Sequence, residues 1–210
     1  GLARGQAGRD AAAGDHHQPV RQLEQFVELF ADHQHRAAGV AQRQQLGADL
    51  RRGADIDAPG RLGDDQQPGL RIDLAAAYRL IHRLGLDDSI YTHISVRLPG
   101  RNDRFLINPY GLRFEEVTAS NLVTVDLDGN VIDDPMGLGI NPAGFTIHSA
   151  IHAARHDAIC VLHTHTVAGI AVACQKQGLL PLNQWSLQFT GCLAYHDYEG
   201  KSDNVDERTR

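Results

Sequence analysis

Several features are scarce in this 210-residue chain, and each scarcity excludes a class of function. The three cysteines, Cys160, Cys174 and Cys192, are odd in number and form no CxxC pair. That pattern suits reduced thiols in a cytoplasmic protein and gives no disulfide framework. No apolar stretch approaches the ~20 residues that a membrane span needs. Residues 1–30 lack the basic start and apolar core of a secretory signal. Positive charge is not in excess either: the formal net charge is −6 and the pI is near 6.0. This argues against nucleic acid or an anionic membrane as a partner. What remains, 42% hydrophobic and 22% charged, describes a soluble globular protein with one good-sized domain or two small ones.

A second set of absences divides the chain near residue 70. Residues 1–70 contain no Ser, Thr, Asn, Lys, Tyr, Trp, Cys or Met, and their only β-branched residues are Val20, Val27, Val40 and Ile56. Helical spacing of Val20, Leu23, Phe26, Val27 and Phe30 predicts a helix from about 20 to 32, with a weaker one over 37–50. Elsewhere the apolar content does not offset the entropy of ordering, so the segment reads as disordered. The only Met is Met136, and Lys occurs only at 176 and 201, as GC-rich coding favours. Residues 1–70 are open to two readings, an evolved segment or a non-native leader. His16, His17, His33 and His35 are not read as ligands, because nothing folded is expected to hold them.

From Arg71 the text changes. Ile72 to Leu84 is an amphipathic helix stopped by Gly85. Tyr91 to Leu98 alternates like a strand, stops at Pro99-Gly100, and pairs as a hairpin with Arg104 to Asn108. Thr118 to Leu122 reads as a helical turn. Val123 to Leu127 runs into the turn signal Asp128-Gly129, and Val131-Ile132 returns. Helices over 145–156 and 166–176 flank a strand over 158–163. Together these predict an α/β domain, a layered sheet flanked by helices.

His163-Thr164-His165 closes that last strand. Residues two apart on a strand share a face, and two imidazoles on one rigid element supply half of a tetrahedral zinc site. The other reading has one histidine hydrogen-bonded in the core and its neighbour exposed. His148, His152 and His156 lie four apart on one helix face, where i, i+4 pairs can share a metal. His152 and His156 read instead as solvated, at a helix end marked by Arg155 and Asp157. Glu115-Glu116 reads as the acidic first turn of the Thr118 segment, not as a catalytic pair.

Taken in order, five segments between Asp73 and Gly200 resemble the class II aldolase/adducin head domain. They are Tyr91 to Arg97, Asn108-Pro109-Tyr110-Gly111, the Val125 to Asn130 turn, the helix bearing His148, and His163-Thr164-His165. The resemblance implies a three-layer α/β/α sandwich around a central, largely antiparallel or mixed sheet. It also implies a homo-oligomer, a tetramer in the family, with active sites between subunits. In aldolases of this family both histidines of the HxH motif bind zinc, which assigns Zn2+ (or another divalent metal) to His163 and His165. The family's third zinc histidine lies in a downstream Asn-His-Gly segment that this sequence does not reach, so the domain over 71–210 is expected to be incomplete at its C-terminus. His148 and His196 are the local candidates for a third ligand.

Two further departures stand out. The family's acid/base Glu, in a Ser-Ser-Glu segment, aligns with Gly144 of Pro142-Ala143-Gly144. The Gly-Asn pair of its phosphate loop aligns with Thr92-His93. These imply a small, non-phosphorylated hydroxy-carbonyl substrate held at Thr92 and His93 and turned over through an enediolate. His93 then either replaces the missing acid/base or is a strand residue facing solvent or a subunit contact. The expected activity is that of a zinc-dependent aldehyde-lyase or epimerase. The alternatives are a non-catalytic, adducin-like assembly domain and an inactive fragment of the enzyme.

Overall fold

A computed structural model of the chain describes residues 67–196. The helices expected over 20–32 and 37–50, and the reading of residues 1–70 as a leader, concern residues outside this range or at its edge.

Helix α1 (Pro68–Arg83) begins four residues before the expected Ile72 start, with Pro68 in the first turn where its missing N–H costs nothing. It ends in a Schellman motif. The Leu86 N–H reaches the Ile81 carbonyl at 3.1 Å and the Gly85 N–H reaches His82 at 2.8 Å. Gly85 sits at φ +65°, the left-handed conformation that this cap requires.

Five strands follow: β1 (His93–Arg97), β2 (Arg104–Ile107), β3 (Val123–Asp126), β4 (Val131–Asp133) and β5 (Cys160–His163). They form one sheet in the order β4-β3-β2-β1-β5, with every neighbouring pair antiparallel. The sheet is therefore wholly antiparallel among the described residues. Helix α2 (Pro142–Ala154) is capped by Asn141, whose side chain accepts from the Ala143 N–H at 3.0 Å. It connects β4 to β5. Helices α3 (Val167–Ala173) and α4 (Gln184–Leu187) follow β5. Among the described residues no helix is long and apolar enough to cross a membrane.

The two faces of the sheet carry different cores. On one, Leu70, Leu74, Tyr78 and Ile81 of α1 bury Ile94, Val96 and Leu106, with Phe114 and Leu122 closing the cluster. Arg71 is fully buried here, donating to the Leu122 carbonyl and Thr124 hydroxyl at 3.0 Å each and pairing with Asp133 at 3.2 Å. On the other face Phe105, Ile107, Val123 and Val125 meet Phe145 of α2.

One expectation about this region needs correcting. Glu115 and Glu116 are not the first turn of a Thr118 helix; they belong to their own 3-10 turn, Phe114–Glu116. Glu116 accepts from the Arg113 N–H at 2.8 Å, and Glu115 lies 2.9 Å from His82 at the end of α1.

Candidate functional site

The side chains of β1 that point away from α1 are His93, Ser95 and Arg97, two residues apart and so about 6.6 Å from one to the next. On α2 a stripe at four-residue spacing, Gly144, His148 and His152, rises about 6 Å per step. The two rulers nearly match, and the residues oppose one another pairwise. Gly144 lies over His93: a Cβ there would fall 2.7 Å from the imidazole, closer than real side chains approach. Ser95 meets His148 Nδ1 at 2.6 Å and His152 Nε2 at 2.8 Å. Arg97 donates to the carbonyls of His152 and Arg155, a cation at the C-terminal end of α2.

His152 is therefore not solvated. It is 1% exposed, because β1 supplies a polar wall that a helical wheel of α2 cannot reveal. His156, past the end of α2, is exposed as expected. His93 does not face solvent either. It is 4% exposed, and neither of its ring nitrogens has a hydrogen-bond partner; the same holds for Nε2 of His148.

His93 pairs across the sheet with His163, and their rings stack at 5.9 Å between centroids. His148 meets His93 edge to face at the same distance. His165 lies just beyond the end of β5, yet its ring is 4.7 Å from that of His163, with the two Nε2 atoms 3.1 Å apart. On its other side His165 Nδ1 meets the Asp88 carboxylate at 2.9 Å. A carboxylate only accepts, so Nδ1 carries a proton, and in the neutral ring Nε2 is the nitrogen with the lone pair. Thr92 is buried, and its hydroxyl accepts the Asp88 N–H at 3.4 Å, tying down the loop that carries the carboxylate. Asp88 is a site residue that the sequence did not reveal. It stands 77 positions from His165, with no motif to link them.

Burial favours the neutral form of His93, His148, His152 and His163. Desolvation, reinforced by the neighbouring rings of His163 and His165, lowers the pKa of His93 to about 4. Desolvation also leads at His152, again to about 4, with the Arg97 charge adding to it. His148 is pushed well below the ordinary value and His163 is lowered too, in both cases chiefly by burial. Neutral imidazole is the form that accepts protons and binds metals.

The pair His163/His165 fits a divalent metal in part. With Zn–N near 2.0–2.1 Å, a tetrahedral site separates two ligand nitrogens by about 3.3 Å, close to the observed 3.1 Å. The Asp88–His165 contact is the carboxylate–histidine arrangement that supports such ligands. Among the described residues, however, no group of three or more His, Cys, Asp or Glu side chains is disposed to hold a metal ion. His148 instead faces Ser95, and His196 is exposed near the end of the described range.

The profile of the class II aldolase and adducin N-terminal domain matches residues 72–210. The chain belongs to that family. A Pseudomonas aeruginosa protein named for the aldolase class 2 family is 60% identical over 141 residues, covering 67% of this chain and 53% of that one. Alpha-adducin of Rattus norvegicus is 52% identical over 132 residues, covering 62% of this chain and 18% of its own length. Among solved structures, an aldolase II superfamily protein from Pseudomonas syringae aligns with a TM-score of 0.66 at 59% identity, covering 69% of this chain and 58% of that one. L-fuculose 1-phosphate aldolase from Glaciozyma antarctica aligns with a TM-score of 0.57 at 32% identity, covering 68% and 57%. The class II aldolase fold is thus shared, and the antiparallel sheet flanked by helices is this family's α/β architecture. The chain spans about half the length of the bacterial relatives it matches.

Proposed function

We propose that the protein is a metal-dependent, aldolase-like lyase or epimerase acting on a small, non-phosphorylated hydroxy-carbonyl compound through an enediolate. The observation that carries this reading is the convergence of His163 and His165, with Nε2 atoms 3.1 Å apart and Asp88 behind one of them. These two side chains would hold the cation. When bound, zinc supplies polarisation of a carbonyl oxygen.

The chain's own residues supply the rest. His93 is a buried neutral base with both ring nitrogens unpartnered, stacked on His163. Gly144 leaves room for it: a Glu at 144 could not coexist with the imidazole where it stands. The missing carboxylate and the new histidine therefore compete for one volume, which supports His93 as the proton-handling group. Thr92 holds the loop beside the site. Arg97, the one cation among the β1 side chains facing α2, is engaged by carbonyl oxygens, which supports a substrate without a dianionic phosphate.

The proposal extends to three-layer packing of the complete domain, supported by α1 and α2 on opposite sheet faces. It also extends to a homo-oligomer, supported by exposed Val167, Leu182 and Trp185. A cytoplasmic location is supported by three free, exposed cysteines. A second reading, a non-catalytic adducin-like domain, draws on the 52% identity with alpha-adducin and on the two-ligand geometry.

Elemental analysis of the purified protein decides between them. The enzyme reading expects stoichiometric zinc or another divalent metal that is lost in His163→Ala. Metal-free protein under metal-replete conditions would leave the adducin-like reading standing.

A further inference from the structure

We propose that Ser95 and His152 are positioning residues that fix His148 as its Nδ1–H tautomer and leave the Nε2 lone pair buried beside His93. The chemical purpose rests on the reading of His93 as the proton-handling group; the geometry does not.

The chain of contacts runs from the Ala158 carbonyl to His152 Nδ1 (3.3 Å), from His152 Nε2 to Ser95 Oγ (2.8 Å), and from Ser95 Oγ to His148 Nδ1 (2.6 Å). All three side chains are buried. A carbonyl only accepts, so His152 Nδ1 carries its proton and, in the neutral ring, Nε2 is the acceptor. Ser95 has one hydroxyl proton and donates it there. Its oxygen then accepts from His148 Nδ1–H, which leaves His148 Nε2 without a proton.

The opposite polarity would need Arg97 to donate to His152 Nδ1. That nitrogen is 3.4 Å from Arg97 NH2, whose two protons already meet the carbonyls of His152 and Arg155. It would also bury an orphan N–H at His148 Nε2 and set a His152 lone pair against the Ala158 carbonyl. Buried orphan donors are rarer and costlier than under-used acceptors. Two independent considerations thus select the same direction.

The consequence falls on His93, whose ring meets His148 edge to face and stacks on His163, with neither ring nitrogen hydrogen-bonded. With Nε2 unprotonated, His148 presents a lone pair and no orphan N–H in the buried wall that it shares with His93. The ring packed against His93 is thereby held in one tautomer.

Two-bond 15N–1H correlation spectra of the full chain, recorded metal-free at neutral pH, report which ring nitrogen of each histidine is protonated. We expect the Nδ1–H form for both His148 and His152. Ser95→Ala should return His148 to a mixture of tautomers while His152 keeps Nδ1–H, and Ser95→Thr should restore the single form. His152→Gln, whose amide oxygen can accept from Ser95, should leave His148 unchanged. A wild-type His148 protonated at Nε2 overturns the proposal, as does a Ser95→Ala spectrum identical to wild type. The wild-type spectrum alone fixes the direction, so a variant that fails to fold does not shelter the idea. Metal loss in His163→Ala leaves this result untouched, so the two readings fail separately.

Discussion

The two faces of strand β1 make opposite uses of burial. Ile94 and Val96 face α1 in an apolar cluster, while His93, Ser95 and Arg97 face α2 and are as deeply buried. Burying an apolar side chain such as Ile94 contributes about 1.5–3 kcal/mol. An unpartnered buried polar group instead costs about 1–3 kcal/mol. The first face holds the sheet together, and the second is kept at a cost, through three unsatisfied ring nitrogens on His93 and His148. A protein selected only for stability would not leave those nitrogens unpartnered, and this is the physical ground for placing chemistry there.

The contrast can be broken from either side. The largest loss of stability is expected on the apolar face, where Ile94→Ala should cost about 2–5 kcal/mol by urea denaturation. Metal binding by the folded fraction should be unchanged. If Ile94→Ala instead lowered metal affinity with little loss of stability, the division of labour would be wrong.

On the polar face, Gly144→Ala puts a methyl group 2.7 Å from the His93 ring. Overpacking of this kind typically costs about 1–3 kcal/mol. The His93 resonances should move more than those of His152, which stands two turns away. An unperturbed His93 spectrum would mean that Gly144 does not make its room.

Acid should act on the same face. His152 stays neutral down to about 4 when folded, whereas an unperturbed imidazole takes its proton near 6.5. Between those values the unfolded state binds more protons. Stability is therefore full above about 6.5 and is lost as pH falls toward 4. His152→Gln removes one such group, so denaturation midpoints measured from pH 7 to 4.5 should fall less steeply in the variant. Parallel slopes would contradict the buried, neutral assignment.

The smallest effect on stability is expected from Asp88→Asn, at a half-exposed hydrogen bond to His165. Its effect belongs to the metal: loss of such a supporting carboxylate typically weakens binding by about 10- to 100-fold.

How much of this was legible in the sequence varies by residue. The order of helices and strands was readable because Ile94 and Val96 alternate with polar residues, and because Gly85 marks a helix end. The same alternation misled about exposure. His93, Ser95 and Arg97 look like a solvated strand face, and only the path of α2, which no local pattern encodes, covers them. His148 and His152 were visible at i, i+4, but their partner is the single hydroxyl of Ser95, more than fifty positions earlier. Asp88 was invisible for the same reason. The pairing of His93 with Gly144 was half visible: the family alignment marked both positions as departures, and the structure adds that they share one volume.

We propose that the α2 side of the sheet, and not its apolar counterpart, serves a metal held at His163 and His165. A competition titration with zinc or cobalt(II), run on wild type, His163→Ala and His93→Ala, tests it most directly. We expect one metal per wild-type chain, binding abolished in His163→Ala, and stoichiometry retained in His93→Ala. Equal metal affinity in wild type and His163→Ala, or no binding in either, would contradict it.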